Sequence, residues 1–517
     1  MNRFRLLPPA ALIAIALLSG AWLLGRALDR DERRSEEGAR LLDAVMQRVR
    51  ESYVEPVDEE TLWRNAVAGM VEQLGDPNSA YITPDRLERL RLSASNAYRG
   101  VGLSVDVING WITVVQPRTG SPAERAGLQT GDRLVELDGK SMQGWTVAEA
   151  REALRGPLGS TVRLVVERGQ GTRITVTLER ADIRVRAVSR AVILDGGVGY
   201  VAVTTFSDST EAELVFTVDS LRSAGATSLV LDMRGNPGGL LEQGVGVADL
   251  FLAPGQQIVT TRGRAASANK TYVDSTAERW GGMPIAVLVN PLTASAAEIV
   301  AGALQDHDRA VVLGRVSYGK GSAQTVYPLD NGAAISLTEA RWYTPLGRSL
   351  EVAPPDEERL ADADTARPVF RTASGRRVFG GGGIVPDIAV GDSALDPAER
   401  RLLAEIGADV PRWREALTAE ARALLAERVV RDSLFTTRPE WRARLQQRAR
   451  AMGLRFNTAT YNEASAFVDR RFGEEIARQG WGVAYAQRRQ VRSDAVVLRA
   501  AEVLRKARAP QDVFVAE

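Results

Sequence analysis

Residues 284–306 read Pro284-Ile-Ala-Val-Leu-Val-Asn-Pro-Leu-Thr-Ala-Ser-Ala-Ala-Glu-Ile-Val-Ala-Gly-Ala-Leu-Gln-Asp306. The opening residues, Pro284 to Asn290, are a near-continuous apolar run of strand length, as expected of a parallel strand buried on both faces. Beyond Pro291, Ile299, Val300, Ala303 and Leu304 recur at helical spacing, which predicts a helix over 295–306. The pattern repeats outward. Gly199-Tyr-Val-Ala-Val203, Ser228-Leu-Val-Leu-Asp-Met233 and Ala310-Val-Val-Leu-Gly314 read as strands. Ser207 to Ala224 reads as a helix with Leu214, Val218 and Leu221 on one face. Val326 to Tyr343 reads as a hairpin about Asp330-Asn-Gly332. Strand–helix alternation over 183–350 predicts an α/β core.

The composition narrows the chemistry of that core. The chain has 517 residues, too many for one domain, and about three or four are expected. It has no cysteine and one histidine, His307. That excludes a Cys nucleophile, a thiolate metal site and a lipid-modified N-terminal Cys, and argues against a His-rich zinc site or a Ser-His-Asp triad. No metal or cofactor is expected. Net charge is +1, which argues against a nucleic-acid partner.

Arg3 and Arg5 precede the apolar stretch Leu6 to Gly25. Residues 1–30 therefore read as a signal peptide or an uncleaved signal anchor, and Trp22-Leu-Leu24 after Ser19-Gly-Ala21 favours the anchor. The membrane is then a partner through this segment, with the body exported to the periplasm or beyond. Residues 37–95 read as helical packing elements, with Leu41, Leu42, Val45, Val49, Leu62, Ala66, Met70 and Leu74 recurring every three to four positions. Residues 396–517 are Ala-, Leu- and Arg-rich with helical spacing, and form a C-terminal helical region to which no chemistry is assigned. That region is open to oligomer formation or to recruiting an adaptor protein.

Residues 96–182 change to short β runs with turns. Val101-Gly-Leu-Ser-Val-Asp-Val107, Trp111-Ile-Thr-Val-Val115, Arg133-Leu-Val-Glu-Leu137 and Val162-Arg-Leu-Val-Val-Glu-Arg168 read as strands, followed in part by a helix from Thr146 to Leu154. This order resembles a PDZ domain, including Gly131-Asp-Arg-Leu-Val-Glu-Leu-Asp-Gly139. In such domains a Gly-rich loop offers N–H groups to a chain-terminal carboxylate, and the peptide adds as an extra strand. Gly100, Val101, Gly102 and Leu103 occupy that place. Without the surrounding pattern the two glycines would read as turn residues.

Ser295 follows an apolar strand and begins a helix, where unpaired N–H groups and the positive dipole end favour a developing oxyanion. Taken alone, a Ser there is an N-cap. Arg234-Gly-Asn-Pro-Gly-Gly239 follows another strand; its glycines suit either half of an oxyanion hole or a tight turn. Lysine is the natural base left for a serine, and Lys320 lies between Gly319 and Gly321. To act so it must be neutral, against a reference pKa of about 10.4. A solvated loop lysine is the bland alternative.

Together these segments resemble the carboxy-terminal processing, or tail-specific, proteases, serine peptidases with a Ser-Lys pair and a PDZ domain. Their Ser-Ala-Ser-Ala-Ser-Glu motif appears as Thr293-Ala-Ser-Ala-Ala-Glu298, with the nucleophile position kept as Ser295. Lys320 follows by 25 positions, and Gly-Lys-Gly-x-x-Gln ends on Gln324. The resemblance implies that Ser295 is the nucleophile, Lys320 its base and Gln324 the residue orienting that base. It implies an oxyanion hole from Ala296 with Gly238 or Gly239, and supporting roles for Glu298 and Asp306. Asp76-Pro-Asn-Ser79 and Gly383-Ile-Val-Pro-Asp387 resemble further family elements, with Asn78 where a His is common. The implied fold is multidomain α/β: a crotonase/ClpP-like protease core over 183–395 with an inserted PDZ domain and helical N- and C-terminal regions. The implied partners are protein or peptide substrates with free C-termini.

Two rival functions are a PDZ adaptor with an inactive core and an acyl-CoA enzyme on a crotonase-like core. Two decoys are set aside. Ser267-Ala-Asn-Lys270 fits Ser-x-x-Lys but lacks an apolar helix and companion motifs. His307, twelve residues after Ser295, lies about 18 Å along the helix, too far to be its base, and is expected at the surface.

Overall fold

The computed structural model describes residues 37–108, 110–169, 171–351, 367–391 and 396–514. The expected anchor, Leu6 to Gly25, lies outside them. Among the described residues no helix is long and apolar enough to cross a membrane. The chain divides into two units, one of Met1–Thr83 with Val326–Leu337, the other of Pro84–Thr325 with Thr338–Glu517.

In the first unit, helix 37–52 precedes helix Glu59–Glu72, whose N-cap Asp58 accepts the Thr61 N–H at 2.8 Å. Asp76 then closes a turn, accepting Asn78 N–H at 3.0 Å and the Ser79 hydroxyl at 2.6 Å. Strand Ala80–Ile82 pairs antiparallel with Ala334–Ser336. The expected apolar stripe is displaced. Leu41, Val45, Met70 and Leu74 are exposed, whereas Met46 and Val71, one position on from two of them, are buried. Apolar spacing reports helical period, while burial depends on where the neighbours lie.

In the second unit, the segment read as PDZ-like is a small β structure with two helices. Strands Leu103–Ile108, Trp111–Pro117, Arg133–Leu137, Thr161–Arg168 and Thr172–Glu179 form one antiparallel sheet in that order. Helix Val147–Leu154 starts in a reciprocal Thr146–Glu149 capping box. Ile112, Met142, Ala150 and Leu164 are fully buried between sheet and helix. Asp132 of the Gly-Asp run caps the preceding turn at Gln129 N–H (2.8 Å) and takes a two-pronged ion pair from Arg168.

The core of this unit is a six-stranded sheet in the order Val188–Leu194, Val198–Val203, Ser228–Asp232, Ile285–Val289, Val311–Gly314, Ile388–Ala389. The first pair is antiparallel and the rest are parallel. The inner strands are buried on both faces, as their unbroken apolarity requires. Helices Thr210–Ser223, Leu241–Asp249 and Ala296–Asp306 pack in one hydrophobic cluster with residues of this sheet. The opposite set of strand side chains, including Val198, Val230, Leu288 and Leu313, packs with helix Ala495–Lys506.

The helices after residue 396 therefore serve two cores. Those from Pro397 to Trp481 bury Trp413, Leu424, Leu445, Tyr461 and Phe472 in a cluster of their own. Helix Ala495–Lys506 joins the sheet, together with Val491 of the preceding helix Val483–Ser493. Three consecutive parallel strands end at Asp232, Val289 and Gly314, and the segments that follow hold the motifs around Arg234, Ser295 and Lys320. The carboxyl edge of a parallel sheet is where such folds place ligand sites.

Candidate active site

Ser295 caps helix Ala296–Asp306 with φ 56° and ψ −121°, a conformation disfavoured for a residue with a side chain. The surroundings over-determine it. Its N–H donates to Glu298 Oε2 at 2.8 Å, while its carbonyl accepts the N–H groups of Glu298 and Ile299 at 2.8 and 3.1 Å. Gly238 presses on it from the neighbouring loop. A Cβ there would stand 2.7 Å from Ser295 Cβ and 3.0 Å from Ala296 N.

The two loops are joined by more than contact. Ala294 N–H donates to Asn236 O, Gly235 N–H to Asn290 Oδ1 and the Thr293 hydroxyl to Met233 O, each at 2.9 Å. Asn236 is fully buried; its amide donates to Val203 O at 3.0 Å and its Oδ1 accepts Gly238 N–H at 2.8 Å. Gly238 thus has its N–H occupied. The N–H groups of Ala296 and Gly239 have no acceptor among the described residues.

Glu298 is fully buried and collects four donors. Oε2 takes Ser295 N–H and Lys320 N–H, the latter at 2.9 Å. Oε1 takes Gly319 N–H at 2.7 Å and the Ser317 hydroxyl at 2.5 Å. Burial raises the carboxyl pKa, and the four donors, each favouring the ionised form, pull the other way. Ser317 Oγ in turn accepts Ile384 N–H at 2.6 Å, so the Gly383–Asp387 element braces the lysine loop. A Cβ on Gly383 would meet Ser317 O at 2.3 Å.

Lys320 is half-buried and precedes strand Ser322–Pro328. Gln324, on that strand, donates its amide to Ser322 Oγ (2.9 Å) and Thr338 Oγ1 (3.2 Å). Ser295, Ala296, Gly238, Glu298 and the Lys320 backbone are thus brought together. Asp306 is not. It lies at the far end of the helix in a fully buried ion pair with Arg348, and accepts Leu346 N–H at 3.0 Å. His307 is corrected from surface to half-buried, with Nε2 2.7 Å from Gln257 O. Ser267 and Lys270 are exposed.

In the PDZ-like segment, Gly100, Val101, Gly102 and Leu103 are all buried. The carbonyls of Val101 and Gly102 turn inward to Ala123 N–H (3.0 Å) and Arg118 N–H (2.8 Å). The N–H groups of Val101 and Gly102 have no acceptor among the described residues. Gly102 has φ 79°, and a Cβ there would overlap Ser121 Cβ at 2.2 Å.

Sequence reasoning gave no role to Ser317, Asn290 or Asn236. Asn236 stood inside a quoted motif, but nothing local marks Ser317, whose partners lie 19 and 67 positions away.

Comparison with known proteins gives three matches to family models: peptidase family S41 over residues 197–359, the PDZ domain over 113–168, and the N-terminal domain of the activating protease CtpB over 26–85. A carboxy-terminal-processing protease of Bartonella bacilliformis is 39% identical over 312 residues, covering 59% of this chain and 71% of its own. The carboxy-terminal processing protease CtpA of Bacillus subtilis is 35% identical over 303 residues, covering 59% and 64%. A solved photosystem II D1 C-terminal processing protease is 28% identical, covering 67% of this chain and 85% of its own with a TM-score of 0.37.

Proposed function

The chain belongs to peptidase family S41, the carboxy-terminal processing proteases, and from that premise we propose that it is a serine endopeptidase acting on protein substrates with free C-terminal tails. Ser295 Oγ attacks the scissile carbonyl carbon while the neutral Lys320 amine takes the hydroxyl proton. The carbonyl oxygen, now anionic, is received by the N–H groups of Ala296 and Gly239. Gly239 is preferred over Gly238 because the latter's N–H already serves Asn236. Collapse expels the amine with the proton from Lys320 and leaves an acyl ester on Ser295. Water, deprotonated by Lys320, then hydrolyses that ester. Gln324, its amide held by Ser322 and Thr338, offers its carbonyl oxygen to orient the lysine.

The tail carboxylate is taken by the N–H groups of the Gly100–Leu103 loop, with the peptide laid along Leu103–Ile108 as an added strand. Export of the body is read from Arg3, Arg5 and the apolar run that follows them.

The observation that carries the reading is the shared Glu298 oxygen. A buried carboxylate holding the backbone of both a strained serine and a glycine-flanked lysine pre-positions two reactive groups. The test compares wild type, Ser295→Ala and Lys320→Ala on an unfolded protein with a free C-terminus. Cleavage by wild type alone is expected; equal activity in all three overturns the reading.

A further inference from the structure

We infer that Asp494, on the C-terminal helix, is a positioning residue for this site: through Arg234 it sets the Gly235–Gly239 loop that packs on Ser295. The inference rests on the peptidase reading above. The Arg234 side chain is largely buried, at 16% exposure, between two carboxylates. Asp232 binds it from the same turn, Nε to Oδ1 at 3.0 Å and Nη2 to Oδ2 at 2.7 Å. Asp494 binds it from 260 positions downstream, Nη1 to Oδ1 at 3.2 Å and Nη2 to Oδ2 at 3.0 Å.

The two carboxylates do different work. One negative charge is enough to neutralise a guanidinium, and Asp232 provides it while also accepting the Tyr200 hydroxyl at 2.8 Å. Asp232 is only two residues from Arg234, so this pairing ties the turn to its own strand. Asp494 is the partner from outside. It caps helix Ala495–Lys506, accepting Val496 and Val497 N–H at 3.0 and 3.1 Å. That helix is anchored through Val496, Val497, Ala500 and Leu504 in the cluster on the second face of the sheet. Bidentate Arg–carboxylate pairing fixes orientation as well as distance. The position of Arg234 is therefore referred to the helix layer.

From Arg234 the constraint runs along a stitched loop. Gly235 is held by Asn290, Asn236 holds Ala294, and Gly238 fills the space beside Ser295. The Gly239 N–H, without an acceptor among the described residues, is the next group along. A cavity of about 240 Å³, lined in part by Tyr200, Asp232, Arg234, Asn290 and Asp494, runs beside the pair. Dense packing alone therefore does not hold the guanidinium, and the second carboxylate has a positional task left to do.

Asp494→Asn keeps a good N-cap and nearly the same shape while removing the charge. Expected are a fall in kcat of about tenfold with KM unchanged, since loop displacement touches the transition state more than tail binding. Faster amide hydrogen exchange over residues 234–240, read by mass spectrometry, accompanies it, and Asp494→Glu recovers part of both. Unchanged exchange over 234–240 overturns the inference whatever the peptidase assay shows. So does a kcat loss that merely follows the folded fraction, or an unchanged kcat when wild type cleaves. Failure of wild type to cleave would instead sink the peptidase reading, and the exchange measurement would still decide whether Asp494 sets the loop.

Discussion

The backbone N–H groups of Ser295 and Lys320 donate to a single oxygen, Glu298 Oε2, at 2.8 and 2.9 Å. Residues 25 positions apart in sequence, on loops after different strands, are referred to one buried atom. That arrangement makes Glu298 the first place to test.

Glu298→Gln replaces one acceptor oxygen by a donor, so two of the four donors lose their acceptor. A fall in kcat of about a hundredfold is expected, with KM little changed, since a small misplacement of reacting groups costs that much. Steady-state kinetics on a tailed substrate checks it.

The same substitution has a pH signature. Burial, the largest influence on Glu298, raises its carboxyl pKa above the usual 4.5. A carboxyl raised on folding contributes stability below its unfolded-state pKa and loses it as pH rises through the folded-state value. The variant lacks this contribution. The melting-temperature difference, wild type minus Glu298→Gln, should therefore shrink as pH rises from about 4 upward through the raised pKa. A difference that grows over that range would contradict the assignment.

Gly238→Ala would place a Cβ 2.7 Å from Ser295 Cβ at a backbone φ of 94°. Activity should drop at least about a hundredfold, because the strain falls on Ser295, the proposed nucleophile, and on the N–H groups proposed to receive the oxyanion. Gly239→Ala would place its Cβ 2.0 Å from the main-chain carbonyl oxygen of Phe206, and should impair folding. Circular dichroism with a fluorophosphonate probe for Ser295 distinguishes the two.

Asp306 and Arg348 form an ion pair with neither side chain exposed. Asp306→Asn leaves a buried guanidinium short of its counter-ion, and about 3–5 kcal/mol of stability should be lost. If Asp306 acts only through folding, kcat per folded molecule will stay near wild type. Denaturant unfolding paired with active-site titration gives both numbers.

Gly102→Ala drives a Cβ into Ser121 at 2.2 Å. Binding of a fluorescent peptide with a free C-terminal carboxylate should weaken more than tenfold, while a peptide amidated at its C-terminus should bind wild type and variant equally poorly. Fluorescence anisotropy reads the difference.

Much of this was legible locally. Buried parallel strands declare themselves because both faces must be apolar, so 228–233, 284–290 and 310–314 could be read without knowing their neighbours. The Gly-rich loops and the Ser295 helix start are local too. Less legible was the first unit, where apolar period predicted the helices but not the side they bury. His307 read as surface because its partner, the Gln257 carbonyl, lies 50 positions away.

The elements, their order and the motifs at their ends follow from the residues alone, because strand apolarity, helical period and turn chemistry act over a few residues. The composition also limited the nucleophile and base, since it removes Cys and nearly removes His. Which atoms meet is a matter of the folded arrangement. It turned Gly238 N–H inward and left Gly239 N–H without an acceptor among the described residues, hung Ser295 and Lys320 on Glu298, and brought Asp494 to Arg234. Such contacts join residues as far as 260 positions apart, and their partners are set by how the strand ends and helices pack, which no local pattern encodes.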